Sequence, residues 1–481
     1  MATEAALRTS TEIPSSITTQ NAIETRLGRL RFFDGLPDEA TAKTLYDNLD
    51  FQRGVQAFLS AIPAASSFAI RSAFRGSGPD NETVSITESL ADSHLVLLTA
   101  NSETVYNFVW LDAKDGPLAI EMPPHVLGFI NDFFMRFVGD VGFVGPDKGK
   151  GGKYLLVPPG FAGEVPDGYF VLRPRTFGNV LCFRGFVTNG DLTPAIENSK
   201  KNFRVYPLAR AANPPAMRFV NISGTSLNGV FANDVTFFEQ VAQVVEEEPL
   251  EAFDAELRGL LAAIGIRKGK PFAPDARMKR ILVEAVAVGN ATARAIVFNT
   301  RDKEAFYYPN SAWKLVWLAN AHDFSPGGVL DLDARTYYCY MGAGVSPALT
   351  VKMVGAGSQY AFADHDAAGQ YLDGGKSYQL HLPPNIPAKA FWSLIVYDPQ
   401  TRSMLQTEHP FPSLSSQTEN LAVNADGSVD IYFGPSALPG KESNWVETIP
   451  EKGWFCFLRL YSPLEPWFDK TWRPGEIELL G

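Results

Sequence analysis

Twice along this chain, from Ser85 to about Val220 and again from about Arg335 to Gly481, the apolar residues come in short runs broken by turn formers. The first set includes LVLLT, VYNFVWL, LAIEMP, YLLVPPG, GYFVLRP and VLCFRGFV, separated by Gly, Pro, Asp and Asn. The second includes YYCYM, SYQLHLP, AFWSLIVYD, SVDIYFG and WFCFLRLYS, with NADGS and PSALPGKES between them. β-Branched and aromatic residues suit a pleated, half-buried surface. Short runs with a turn signal every few residues predict sheets stacked face to face rather than a parallel α/β sheet. NADG is a strong turn signal. At 481 residues the chain exceeds the ~250–300 residues one core can serve, so more than one domain is expected.

Between the two sets the period changes. DVTFFEQVAQVVEEEPLEAFDAELRGLLAAIGI reads as helix, break at Pro249, helix, and RMKRILVEAVAVGNATARAIV reads as another. A helical pattern also opens the chain, where Leu45, Leu49, Val55 and Phe58 recur at helical intervals. LPDEATAKTLYDNL begins with Pro and acids, as helix N-termini do. RFFDGLP, just before it, reads as a turn between two helices. PPHVLGFINDFFMRF fits either a strand or a short helix. The expected fold is mainly β (α+β): a Ser/Thr-rich disordered stretch 1–20, a helical segment 21–84, a β-sandwich or jelly-roll-like domain 85–233, a helical insert 234–325 and a second such domain 326–481.

Charge and cysteines narrow the function. With Lys+Arg 42 against Asp+Glu 53, the net charge of −11 argues against a nucleic-acid partner. The one lysine run, Lys148, Lys150 and Lys153, sits in a Gly-rich loop that lacks a P-loop ending. Cys182, Cys339 and Cys456 each lie in apolar runs without CxxC spacing, which fits buried thiols rather than a disulfide scaffold. No leader pattern and no run of ~18 apolar residues is present, so a cytoplasmic location without membrane insertion is expected. Homo-oligomers are expected because sheet-rich domains self-associate. The six histidines form no HxH or HExxH pair, so no metal ligand is assigned, although a distributed metal site stays open. Dinucleotide fingerprints and the G-x-S-x-G elbow are missing, and no organic cofactor is expected.

Candidate site residues cluster around Thr99–Asp112, TANSETVYNFVWLD, where a polar knot feeds into an aromatic strand. Asn101, Thr104 and Tyr106 are placed to orient a small molecule. Glu103, Asp132 and Asp140 sit within or beside apolar strands, where desolvation raises a carboxyl pKa toward values useful in acid–base work. The competing reading makes Asp132 and Asp140 turn residues with side-chain-to-backbone bonds. Arg173, Arg175, Arg184 and Arg459 put guanidinium groups in β context, where a fork of donors can hold an anion, or simply pair with a neighbouring acid. Of the tryptophans, most read as core, and Trp445 in its Gly/Pro-rich loop reads least so.

RLGRLRFFDGLPDEATAKTLYDNLDFQRGVQAFLSAIP followed by TANSETVYNFVWLDAKDGPLAIEMPP resembles the family catalogued as domain of unknown function 1254. GGKSYQLHLPPNIPAKAFWSLIVYD, NADGSVDIYFGP and NWVETIPEKGWFCFLRLYSPLEPWFDKTW resemble the companion domain 1214. The resemblance implies two β-sandwich-like domains with helical elements, and supplies no activity. Its signature positions would be Asn101, Thr104, Tyr106 and Asp112, then Phe391, Trp392, Ser393, Tyr397, Asp398, Asn444, Trp445, Arg459 and Tyr461. The functional expectation is a hydrolase or lyase, free of organic cofactor, acting on a small organic molecule, anionic ones included, in an inter-domain cleft. Asp132, Asp140 and Glu103 would be catalytic; Asn101, Thr104, Tyr106, Arg173, Trp392, Asn444, Trp445, Arg459 and Tyr461 would bind substrate. A non-catalytic small-molecule or glycan binder and a structural assembly role are the alternatives.

Overall fold

The computed structural model describes residues 13–188, 190–318 and 321–481. Residues 1–12 of the stretch expected to be disordered lie outside these; within it Ser15–Ile17 form one exposed helical turn. The protein is a β-rich α/β chain with eight α-helices among the described residues.

Four sheets position everything else. In the first half, a six-stranded sheet runs in the order Arg218–Asn221, Thr83–Ile86, Val105–Asp112, Gly178–Gly185, Val126–Asp132, Phe137–Gly142. It faces a four-stranded sheet of Phe170–Leu172, Gly152–Leu156, Leu118–Met122 and Arg204–Pro207. One apolar core joins them, with Val109, Leu181 and Ile130 from the larger sheet meeting Ile120, Leu156 and Val205 from the smaller. The second half repeats the plan. A five-stranded sheet (Lys314–Leu315, Ser358–Ala363, Phe455–Pro463, Ala388–Tyr397, Ser413–Ser415) shares a core with a four-stranded one (Trp445–Glu447, Val429–Gly434, Tyr378–Leu382, Ile477–Leu479).

The largest core lies between these two sheet pairs. It unites Trp110 and Val180 of the six-stranded sheet with Phe362, Ile395 and Phe457 of the five-stranded one. The helices Glu39–Arg75, Thr236–Glu247, Ala276–Phe298 and Leu332–Met341 fill the space between. The helical stretches from before and after the first sheet pair thus form one shared middle layer. The long helix starts at Asp38, whose carboxylate accepts the Thr41 N–H at 2.7 Å and satisfies an otherwise orphaned donor. Its second half is rich in Ala and Ser and buried. Small residues allow the closest crossing: a Cβ on Gly54 would lie 2.7 Å from the Ala285 Cβ, and one on Gly289 would meet the Phe58 ring at 2.7 Å. Glu39–Arg75 and Ala276–Phe298 are long and apolar enough to cross a bilayer by length and composition; 72% of the most apolar window of the first is buried inside the protein.

Two expectations are corrected. RFFDGLP is no turn between helices: Gly28–Phe33 and Leu36–Pro37 form a hairpin, joined to Ala22–Thr25 in a three-stranded sheet. Asp34 and Gly35 take φ of 51° and 84°, the paired positive values a tight hairpin turn demands and Asp-Gly supplies cheaply. YYCYM is helix, part of Leu332–Met341, capped by Asp331 accepting from Ala334 N. Thr336 through Met341 are all buried, so the helix has no polar stripe and lacks the period that would betray it. The ambiguous VLGFIND is strand.

Candidate functional site

Strand alternation aims one face of each large sheet at the middle layer. In Val105–Asp112, Val109 and Leu111 enter the outer core, while Tyr106, Phe108 and Trp110 point inward. The register sets Arg184 opposite Tyr106, Cys182 opposite Phe108 and Val180 opposite Trp110. On the second sheet Phe457, Arg459 and Tyr461 share the inward face, opposite Phe362, Tyr360 and Ser358. Each sheet therefore presents a cross-strand Tyr–Arg pair, Tyr106 with Arg184 and Tyr360 with Arg459.

Between them lies a cavity of about 200 Å³ lined by both pairs. Ser67, Ile70 and Phe74 of the long helix close one side, and the segments Leu97–Asn101 and Gly342–Gly344 border it. Trp317, stacked on Tyr338 at 3.7 Å, forms part of the wall. The wall is mostly apolar.

Both guanidinium groups are buried, at 8% exposure for Arg184 and 5% for Arg459. Arg184 Nη2 donates to Ser358 Oγ at 3.2 Å, and its guanidinium lies 5.5 Å from the Tyr461 ring centre. Arg459 donates to the Tyr397 hydroxyl at 2.5 Å and to the Thr99 carbonyl at 2.7 Å. Neither arginine has a carboxylate within ion-pair distance among the described residues. Burying an unpaired charge is costly unless something compensates it. Two further donors in the wall, Tyr461 Oη and Trp317 Nε1, are buried and unpartnered among the described residues. Burial raises the Tyr461 phenol well above 10, so it stays a neutral donor.

Thr99 anchors the border of the cavity. Its N–H donates to the Arg402 carbonyl at 2.7 Å and its hydroxyl to the Met341 carbonyl at 3.0 Å, while its own carbonyl takes the Arg459 bond. These bonds hold a β-branched residue at φ 40°, a conformation such side chains resist. Asn131 pins the opposite segment, exchanging two 2.7 Å bonds with the Val345 backbone.

Five residues named from sequence reach the cavity: Asn101, Tyr106, Arg184, Arg459 and Tyr461. Glu103 lies behind Arg459. Burial pushes its carboxyl up, while the hydroxyls of Ser102, Ser415 and Ser413 and the Arg459 charge oppose that. Thr104 is fully buried beside Asn101 and does not line the space. Asp140 sits opposite Phe129, a wall residue, and accepts from the wall residue Ser346 at 2.7 Å. Burial raises its carboxyl to about 6.

The others lie elsewhere. Asp132 ends the strand Val126–Asp132, and its carboxylate makes the side-chain-to-backbone bonds of the competing reading. It accepts from the Phe134 and Arg136 backbone amides and pairs with Arg136 Nε at 2.7 Å, which leaves its oxygens committed. Arg173 is exposed and away from the cavity. Trp392 belongs to the outer core of the second sheet pair. Asn444 spends its amide on the Ala422 and Asp430 backbone, and the Trp445 indole donates to the Gly434 carbonyl. Among the described residues no three His, Cys, Asp or Glu side chains are grouped to hold a metal.

Tyr360, Ser358, Trp317 and Tyr338 are wall residues that the sequence reading does not single out. Arg184, read from sequence as holding an anion or pairing with an acid, shares a strand face with Val180 and Cys182 and lines the cavity.

Two family models match the chain in tandem, a protein of unknown function (DUF1254) over residues 81–207 and a protein of unknown function (DUF1214) over residues 357–465. The VPA0106 protein from Vibrio parahaemolyticus has a similar crystal structure, with a TM-score of 0.55 at 19% identity. The match covers 90% of this chain and 100% of that one, and the likeness is one of fold. An uncharacterised protein from Burkholderia cenocepacia aligns over 92% of this chain and 97% of its own at 12% identity and a TM-score of 0.41. No curated protein matches.

Proposed function

We propose that this chain, in which a DUF1254 region is followed by a DUF1214 region, binds a small organic anion in the cavity between its two large sheets. We read each sheet pair as a β-sandwich, with the ligand held where the two meet. One observation carries the reading: two buried guanidinium groups line an apolar cavity with two further donors, and among the described residues the former have no carboxylate partner and the latter no hydrogen-bond partner. A carboxylate entering this space would take charge-assisted bonds from the forks and compensate their burial.

The test pits matched carboxylates and carboxamides against the purified protein in thermal denaturation. A carboxylate at 100 times its dissociation constant should add ~2.7 kcal/mol of stability, and its amide little. Equal shifts from both members of every pair would remove the anion from the reading.

A second reading, an acid–base enzyme of hydrolase or lyase type needing no organic cofactor, is favoured by Asp140, whose carboxyl at about 6 stands beside the cavity wall. Acting as a base, it would make the rate rise as pH climbs through about 6, and Asp140→Asn would flatten that rise. The sign for stability is opposite. The fold raises this carboxyl above 3.8, so its contribution to stability is lost as pH rises from that value through about 6. A pH–rate profile with the same inflection in Asp140→Asn would rule out the role.

A further inference from the structure

We infer that the anion is a ring-bearing monocarboxylate, its ring laid along the aromatic wall and its carboxylate at Arg184. This rests on the anion reading above and narrows it. Three observations combine.

The first is charge. Arg459 already has a partial counter-charge, since Glu103 lies within its electrostatic reach from outside the cavity and is held by the Ser102 hydroxyl at 3.0 Å. Among the described residues Arg184 has no carboxylate within ion-pair distance; its surroundings are the Tyr106, Tyr360 and Tyr461 phenols and the Cys182 thiol. One uncompensated positive charge calls for one negative charge. A dianion would bury a second charge against an apolar wall.

The second is shape. Phe74, Phe108 and Tyr106 form a row of near-parallel rings, Phe74 to Phe108 at 4.8 Å and 22°, Phe108 to Tyr106 at 5.3 Å and 8°. All three line the cavity. The register places Arg184 directly opposite Tyr106, at the end of that row. A flat apolar group against these rings brings a carboxylate attached to it to the guanidinium fork, within reach of the Tyr461 hydroxyl.

The third is volume. An engineered apolar cavity of ~150 Å³ accepts benzene, so a space of about 200 Å³ accommodates a single ring with a carboxylate.

The experiment titrates the full chain calorimetrically with benzoate, acetate, phthalate, inorganic phosphate and benzamide. Benzoate should bind ~10- to 100-fold more tightly than acetate, from ring area removed from water. Phthalate should be at least ~10-fold weaker than benzoate, its second charge being uncompensated. Tyr461→Phe removes an unpartnered hydroxyl, so it should leave the melting temperature of the free protein unchanged and weaken benzoate ~5-fold. Acetate, phthalate or phosphate binding as well as benzoate would overturn the ring-bearing monocarboxylate while leaving the anion reading standing. Benzamide matching benzoate would overturn both. Silence from benzoate overturns the inference whatever the other probes do.

Discussion

Replacing Arg184 by methionine should abolish anion binding, by ~100-fold or more, while leaving the free protein as stable as before or more so. The two halves of that expectation come from one observation. In the absence of ligand the guanidinium is buried with one side-chain hydrogen bond, to Ser358, and no ion-pair partner among the described residues, so its desolvation is poorly compensated. Methionine keeps the length and apolar volume of the stem and removes the charge. An arginine kept for the fold behaves otherwise. Arg402 is fully buried, reaches the Tyr340 and Gln400 carbonyls and lies against the Phe231 and Tyr340 rings, so its loss should lower stability. Melting curves of Arg184→Met with and without ligand decide the matter. A sharp drop in the melting temperature of the free protein would make Arg184 a structural residue.

Asp364→Asn should destabilise the second half by ~3–5 kcal/mol, the cost of leaving a buried cation without its partner. Lys314 and Asp364 are 1% and 2% exposed and pair at 2.7 Å. Lys314 Nζ has one other partner, the Phe298 carbonyl at 3.4 Å, a bond too long to replace a charge. Burial already pulls the lysine below 10.5, with Asp364 pulling the other way, so loss of the carboxylate drives it further toward the neutral amine. The other Asp364 oxygen meets His365 Nδ1 at 2.6 Å, which leaves the carboxylate fully used. The double variant Lys314→Met, Asp364→Leu should recover most of the loss, because removing both charges leaves nothing uncompensated. Denaturant unfolding of the single and double variants measures the coupling; additive losses would contradict it.

Much of the sheet structure was legible, because each strand carries its own alternation and its own turns. The same local grammar points to Tyr106 and Arg459, polar tips on strands whose other faces are apolar, while Tyr461 enters only through the family resemblance. It failed wherever the deciding neighbour was distant. Trp392 and Arg459 look alike as signature positions, yet adjacent places on paired strands send one into the outer core and the other to the cavity. Asp132 was drawn to the site by its apolar flanks, and the Arg136 fork that occupies it is a matter of turn geometry. Asn444 was read as a ligand residue and serves the backbone of Ala422 and Asp430. Tyr360 and Ser358 became site residues through pairing with a strand about a hundred positions away, which no local pattern encodes. The helix Leu332–Met341 was misread because burial on every side erased its stripe.

The middle layer has a consequence for how such a chain can be divided. Cut between the two sheet pairs, each half would expose one wide face, Trp110, Val180 and Phe133 on one and Phe362, Ile395 and Phe457 on the other, far beyond what a lone soluble domain tolerates. Dividing the chain there should therefore yield fragments that aggregate. The tandem order of the two regions then goes with a cavity whose walls come from both large sheets.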